Sequence, residues 1–225
     1  MRGTDRVLDV VVTSSGRDTI FPTIESFFSK VKYSGEFRFI VNVDLCTSKH
    51  LSNIVSLFKG LNFKCLNINY RPQGFTRAVA FVLSRVETPL YFHLEDDWIF
   101  LKELDIDPLL KLFDRFQSLN HICFSKKTIL YYNELFYLRK LRIVPMDCDK
   151  FKTENVTFGD IPLVKTITYS ANPNISRTDH FRRLWHVDFL NIEQQFALQN
   201  FLLGNRRGYY ILGNIGDEPT VQHIG

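Results

Sequence analysis

The chain has no apolar run approaching the roughly 20 residues needed to cross a bilayer. The segment from Met1 to Asp9 lacks the apolar core of a secretory leader. Only four cysteines occur, Cys46, Cys65, Cys123 and Cys148, far apart and without a CxxC pair. That spacing excludes a zinc knuckle and a disulfide framework and fits a reducing cytosol. Lys and Arg are scattered, the net charge is a mild +4, and no basic block marks a nucleic-acid-binding face. Internal repeats, low-complexity tracts and Gly/Ser linkers are also missing. These absences predict a soluble cytoplasmic protein with neither a transmembrane segment nor a nucleic-acid partner.

What is present is an ordinary globular balance, 45% hydrophobic and 23% charged, over 225 residues. That length suits a single α/β domain. The 21 phenylalanines carry no functional reading of their own. The first hundred residues alternate in type. Val7 to Val12 is a continuous apolar run, as in a strand buried on both faces. Helical spacing of Ile20, Ile24, Phe27, Phe28 and Val31 follows, with Pro22 in the first turn. Strands are predicted at 37–43, 63–68 and 90–94, and helices at 51–58 and from Phe75 to Val86 after Gly74. Strands alternating with helices imply a largely parallel sheet.

The second half is less regular. Asp107-Pro108 reads as a cap and first-turn pair opening a helix through Phe116. Short strands are predicted at 121–125, 129–137 and 163–169, then helices at 177–185 and 189–203 and a last strand at 209–212. The expected organisation is one domain over 1–225, with a ligand-binding half over 1–100 and a second half over 101–225.

Glu95-Asp96-Asp97 is the most informative feature. If the strand at 90–94 continues, period two places Tyr91, His93, Glu95 and Asp97 on one face. Like charges beside a buried strand repel, and their desolvation is costly. A hard divalent cation with oxygen ligands offsets both terms. The carboxyl ends of parallel strands are also where α/β sheets bind ligands. The plain alternative for the triplet is a solvated acidic turn.

Gln73-Gly74-Phe75-Thr76-Arg77-Ala78, followed by the segment Thr88 to Asp97, resembles the core of family 2 glycosyltransferases. The likeness extends to Val11-Val12-Thr13-Ser14-Ser15-Gly16-Arg17 and to Val43-Asp44. It covers about residues 7–100. It implies a GT-A fold, a Rossmann-like α/β architecture with a mostly parallel central sheet flanked by helices. It also implies transfer of a sugar from a nucleotide-diphosphate sugar, with UDP as the expected nucleotide, to a hydroxyl acceptor, with Mn2+ or Mg2+ as cofactor. By position, Thr13, Ser15, Arg17 and Gly74 border the nucleotide, and Asp44 accepts a hydrogen bond from the base. Arg77 approaches base or diphosphate, Glu95 and Asp96 lie toward the ribose, and Asp97 holds the metal. Glu95 stands where the family pattern usually has Asp.

The resemblance also implies a base in the second half. In inverting members an acidic residue well beyond the metal motif takes the acceptor hydroxyl proton, a role that Glu193 fits, with Asp188 as local competitor. The His223-Ile224-Gly225 ending resembles a C-terminal segment whose His completes the metal shell, although a tail without helical period ordinarily frays. His93 is the alternative ligand, its place inside a strand pointing instead to a structural hydrogen bond. The run from Ser170 to Asn174 reads as turn or pocket wall. Trp98 and Trp185 read as sugar-stacking rings or core, core being the plainer reading, and Tyr131, Tyr132, Phe136 and Tyr137 as acceptor face or edge strand. Two other functions compete, a non-catalytic nucleotide- or glycan-binding protein and a sugar-phosphate nucleotidyltransferase. The latter lacks its Gly-rich phosphate loop here.

Overall fold

The structure is a computed structural model that describes residues 6–44, 46–129, 154–166, 170–184 and 208–225. The predicted strand beyond Ile129, the predicted helix at 189–203, Cys148, Trp185, Asp188 and Glu193 lie outside the described residues, as do Tyr131, Tyr132, Phe136 and Tyr137.

In chain order the first half comprises β1 (Val7–Ser14), α1 (Ile20–Lys30), β2 (Val31–Lys32), β3 (Glu36–Asp44) and α2 (Ser48–Phe58), then β4 (Phe63–Asn69), α3 (Phe75–Arg85) and β5 (Leu90–Glu95). Next come β6 (Trp98–Phe100), β7 (Leu104–Asp105), α4 (Asp107–Arg115) and β8 (His121–Cys123). The remaining described elements are β9 (Glu154–Phe158), β10 (Ile161–Thr166), β11 (Asn174–Arg177), α5 (Thr178–Leu184), β12 (Tyr209–Leu212) and β13 (Val221–His223).

Nine strands form one sheet in the order β4-β3-β1-β5-β11-β8-β12-β10-β9. The first four are parallel neighbours, as the alternation of strands with helices predicts. Beyond β5 the sheet is mixed: β11 runs antiparallel to β5 and β8, β8 and β12 are parallel, and β10 is antiparallel to β12 and β9. Alternate residues go to opposite faces. Val10 and Val12 of β1 and Phe92 and Leu94 of β5 pack with Ile20, Ile24 and Phe27 of α1. Val11 and Tyr91 pack on the other face with Val79, Val82 and Leu83 of α3 and Phe181 of α5. Phe27 is an aromatic hub, its ring centroid 4.9 Å from Phe37, 5.2 Å from Phe92 and 5.9 Å from Phe100.

The amino end of the parallel half is closed by Asp9, which is fully buried in β1. Its carboxylate accepts two bonds from Arg38, at 2.7 and 3.1 Å, and one each from the backbone N–H of Glu87 and Thr88. At the other end β6 is held from two sides. Thr23 Oγ1 and Ser26 Oγ of α1 accept from the backbone N–H of Trp98 and Phe100, at 3.1 and 3.2 Å. β13 pairs with β6 antiparallel, setting Val221 opposite Phe100 and His223 opposite Trp98. Backbone N–H groups of Thr220 and Val221 also donate to the carbonyl of Ser125.

Several sequence expectations are corrected. The segment after 212 does not fray; it forms β13, so 209–212 is not the last strand. Asp107 is the first helical residue of α4 rather than its cap, a place taken by Ile106. The Asp107 carboxylate instead accepts from the backbone N–H and hydroxyl of Ser34, at 2.7 and 2.8 Å. Ser170 to Asn174 is not all turn, because Asn174 opens β11 in register with His93. Among the described residues no helix is long and apolar enough to cross a membrane.

Candidate functional site

The chain runs outward from β1 to β3 and β4, then returns to place β5 on the other side of β1. Such a reversal opens a crevice at the carboxyl ends of the two central strands. A cleft of about 300 Å3 lies there, at the small end of the size of ligand pockets. Its walls come from the end of β1 and the segment after it (Thr13 to Ser15, and Arg17), from Asp44, from Gly74 and Phe75 at the start of α3, and from Glu95 to Asp97.

The acidic triplet does not sit as the strand period predicts. β5 ends at Glu95, and Asp96 and Asp97 form a turn into β6. The backbone N–H of Asp96 donates to the carbonyl of Thr13 at 3.1 Å, which fixes the turn against β1. Glu95 therefore does not share a strand face with Asp97. Its Oε2 accepts from Trp98 Nε1 at 3.0 Å, and Trp98 is buried in the core, as predicted.

Asp96 and Asp97 are both buried and have different surroundings. Asp96 Oδ2 accepts from Ser14 Oγ at 2.7 Å and from the backbone N–H of Ser15 at 2.9 Å, and its Oδ1 accepts from Arg17 at 2.7 Å. The same guanidinium nitrogen donates to Asp97 Oδ2 at 2.5 Å. His223 Nε2 lies 3.0 Å from that oxygen, with its ring edge-on to Trp98 at 5.0 Å. Asp97 Oδ1 is buried and has no partner among the described residues. Thr13 Oγ1, also in the cleft wall, is likewise buried and unpartnered. Two orphaned polar atoms in one crevice are unusual in a native fold and mark where a ligand would complete the bonding.

Asp44 is fully engaged. Its Oδ1 accepts from Asn42 and Asn69 at 3.2 and 2.8 Å, and its Oδ2 from the backbone N–H groups of Gln73 and Gly74 at 2.9 and 3.1 Å. These bonds set the turn in which Gly74, at φ 82°, opens α3. Asp44 does not cap the next helix; Thr47 does, accepting from the backbone N–H of His50. Arg77 is exposed on α3 and is not among the residues that line the cleft, whereas Phe75, which sequence reasoning gave no role, is. Its amphipathic position at the start of α3 was the only signal. His93 is fully buried with neither ring nitrogen partnered among the described residues, so the structural hydrogen bond expected of it is not made. Burial pushes its pKa down to about 4. Glu193 lies outside the described residues.

The donor set bears on a metal. Among the described residues no group of three or more His, Cys, Asp or Glu side chains is arranged to hold an ion unaided. Asp97 with its orphaned oxygen and His223 beside it offer two ligands. That number suits a cation that takes its remaining ligands from substrate phosphates and water. The residues present fit a metal that arrives with a diphosphate.

No protein-family model and no curated protein sequence matches the chain. Solved structures do resemble it. The 1–349 fragment of TarS from S. aureus gives a TM-score of 0.61 at 17% identity, over 96% of this chain and 60% of that one. The same fragment in complex with UDP-GlcNAc gives 0.59 at 18% identity, over 95% and 57%. The mannosyltransferase PcManGT from Pyrobaculum calidifontis, in complex with GDP-Man and Mn2+, gives 0.58 at 12% identity, over 92% of this chain and 56% of that one. Apo mouse xyloside xylosyltransferase 1 gives 0.55 at 10% identity, over 97% of both chains. This chain thus spans somewhat more than half of the TarS 1–349 fragment and of the PcManGT chain, and 37% of the longer TarS chain. Identities this low speak for the fold, and the fold is the GT-A-type glycosyltransferase fold that these structures share with the chain.

Proposed function

We propose that the protein transfers a glycosyl group from a nucleotide-diphosphate sugar, with UDP as the nucleotide, to a hydroxyl acceptor. One observation carries the reading: at the switch point between β1 and β5 an incompletely bonded Asp97 and Arg17 line a cleft that also holds an orphaned Thr13 hydroxyl, and His223 stands beside Asp97 outside the cleft wall. A site built to receive a phosphate-bearing ligand needs such unsatisfied donors, cations and metal-ready oxygens. Complexes of structural neighbours with UDP-GlcNAc and with GDP-Man and Mn2+ support the same class of donor.

Asp97 and His223 would hold Mn2+ or Mg2+. When bound, the metal would stabilise the charge that develops on the leaving diphosphate. Thr13, Ser15 and Gly74 would border the nucleotide, and the exposed face of Phe75 would pack on it. Asp96 serves the loop after β1 through Ser14 and Ser15, and Asp44 serves the Gly74 turn. Glu193 would take the acceptor proton in an inverting transfer. Cys46 and Cys65 are free thiols, which suits work in the cytosol.

A thermal-shift series with UDP-, GDP-, CMP- and dTDP-sugars, each with and without manganese, tests the donor. The UDP-sugar with manganese is expected to raise the melting temperature most. No shift with any nucleotide-sugar would remove the proposal, and saturable binding without hydrolysis or transfer would leave a binding protein. Glu193→Gln is expected to lower turnover about a hundredfold with donor affinity kept. Near-normal transfer by that variant would shift the role to Asp188 or to a retaining mechanism.

A further inference from the structure

Arg17 stands in an unusual relation to the two carboxylates. One guanidinium nitrogen bridges Asp96 Oδ1 and Asp97 Oδ2, although the side chain is 43% exposed and rises from the segment after β1 just past Gly16. Its two partners differ in what they keep if it departs. Asp96 retains the Ser14 hydroxyl and the Ser15 N–H. Asp97 retains only His223 on Oδ2, with Oδ1 already unpartnered and the side chain 8% exposed. The guanidinium therefore supplies the positive charge that the buried Asp97 lacks, and it does so from a solvent-facing side chain that can leave without dismantling the turn.

A divalent cation on the unpartnered Asp97 Oδ1 would share one carboxylate with the guanidinium that now holds Oδ2. Two cations at that separation repel strongly at the intermediate dielectric of a half-open cleft. A diphosphate offers the displaced guanidinium a better partner, because its fork matches phosphate oxygens in a bidentate fashion. We infer that Arg17 is a resident counter-cation of Asp97 that passes to the donor's diphosphate when the divalent metal takes its place. The inference rests on the proposed metal role of Asp97. It makes metal and nucleotide bind as a pair: metal alone must evict Arg17 with nothing to receive it, and nucleotide alone must draw Arg17 away from an otherwise uncompensated carboxylate. Arg17 is a binding and positioning residue in this scheme and touches no reacting atom.

The test is a titration of the full chain with Mn2+, followed by electron paramagnetic resonance of the free ion, in the absence and presence of saturating UDP. Arg17→Gln is expected to bind Mn2+ alone about tenfold more tightly than the wild type, since a charge-assisted contact no longer competes. In manganese the same variant is expected to bind UDP about tenfold more weakly. The factor by which each ligand strengthens the other then falls in both directions, as linkage requires. Arg17→Lys keeps the charge without the fork and is expected to fall between the two for both ligands. It also serves if the glutamine variant unfolds. Mn2+ affinity that is unchanged or lowered in both variants would overturn the exchange while leaving the metal site standing. Failure of every form, wild type with UDP included, to bind Mn2+ would overturn the metal reading and the exchange with it.

Discussion

The two ends of the parallel sheet each carry an Asp–Arg pair, and the pairs are built to opposite standards. At the amino end Asp9 is fully buried, and four donors from Arg38, Glu87 and Thr88 meet its two oxygens. At the carboxyl end Asp97 is almost as buried, yet one oxygen has no partner among the described residues and the other depends on a half-exposed Arg17 and on His223. Complete satisfaction marks a carboxylate that holds the fold, because a buried charge left short is expensive. Incomplete satisfaction at a strand's carboxyl end marks one held ready for something else. Asp44 shows that this is not a rule of position, since it sits at the carboxyl end and is as fully bonded as Asp9.

The largest effect that can break the contrast is on stability. Asp9→Ala leaves the Arg38 guanidinium and the backbone N–H groups of Glu87 and Thr88 without the acceptor they share and is expected to cost about 3–5 kcal/mol in urea unfolding. Asp97→Ala, which gives up one half-exposed ion pair, is expected to stay within about 1 kcal/mol of the wild type. Equal losses would erase the distinction between the two ends.

Acid sharpens it next. His93 is neutral in the fold and its pKa is pushed from 6.5 to about 4 by burial. The unfolded chain therefore takes up that proton first, so stability is full above pH 6.5 and falls as pH drops toward 4, by on the order of 3 kcal/mol. His93→Phe is expected to flatten that part of the profile in acid-unfolding measurements. Burial raises the pKa of the Asp9 carboxyl, but bonds from Arg38, Glu87 and Thr88 outweigh this and hold it below its ordinary 3.8. Its contribution is present above 3.8 and is lost only as pH falls through the lower folded value. His121, also buried and with its pKa pushed well below 6.5 by that burial, accounts for what remains; a loss below pH 6.5 that is undiminished in His93→Phe would contradict this separation.

On binding, Asp97→Ala is expected to weaken UDP in manganese by about tenfold or more and to leave UDP in chelator as tight as in the wild type or tighter, as titration calorimetry would read. A variant that binds UDP as tightly as the wild type, in manganese and in chelator alike, would return Asp97 to the class of Asp9. The smallest effect concerns Asp44→Asn. A positioning carboxylate lowers affinity for UDP and CDP alike, so the ratio of the two should move by less than about threefold. A reversal in favour of CDP would mean that Asp44 reads the base directly.

Much of the contrast was legible in the residues. The apolar stretches of β1, β3 and β5 and the helical spacings of α1 and α3 gave those elements to within two residues or so, because strands buried on both faces leave a clear mark, and the half-exposed edge strand β4 was found through its place in the alternation. Arg17, Asp97 and His223 were singled out by motif, and the structure brings them together. What stayed hidden depends on partners distant in sequence. β11 puts Asn174 and Ser176 into the core through hydrogen bonds, so it shows no apolar alternation. β13 exists only because β6 accepts it. The turn at Asp96 cannot be told from one more strand residue without the carbonyl of Thr13 that ends the strand. Whether a carboxylate is free or fully bonded is likewise a matter of neighbours, which is why Asp44 looked available.

The pairing of β13 with β6 also decides when the site exists. Asp97 and His223 are separated by 126 positions, and bringing together the ends of a loop that long carries an entropic cost that grows only slowly with length. That cost falls on the strand pairing and on the bonds from Thr220 and Val221 to Ser125, not on any ligand. On a ribosome the β1–β5 half is complete long before residue 223 emerges, so the crevice forms first as a one-sided groove and gains its histidine last. On the proposed reading of the site, a nascent chain would hold the nucleotide walls without the His223 ligand, and cation binding would report that β13 has docked.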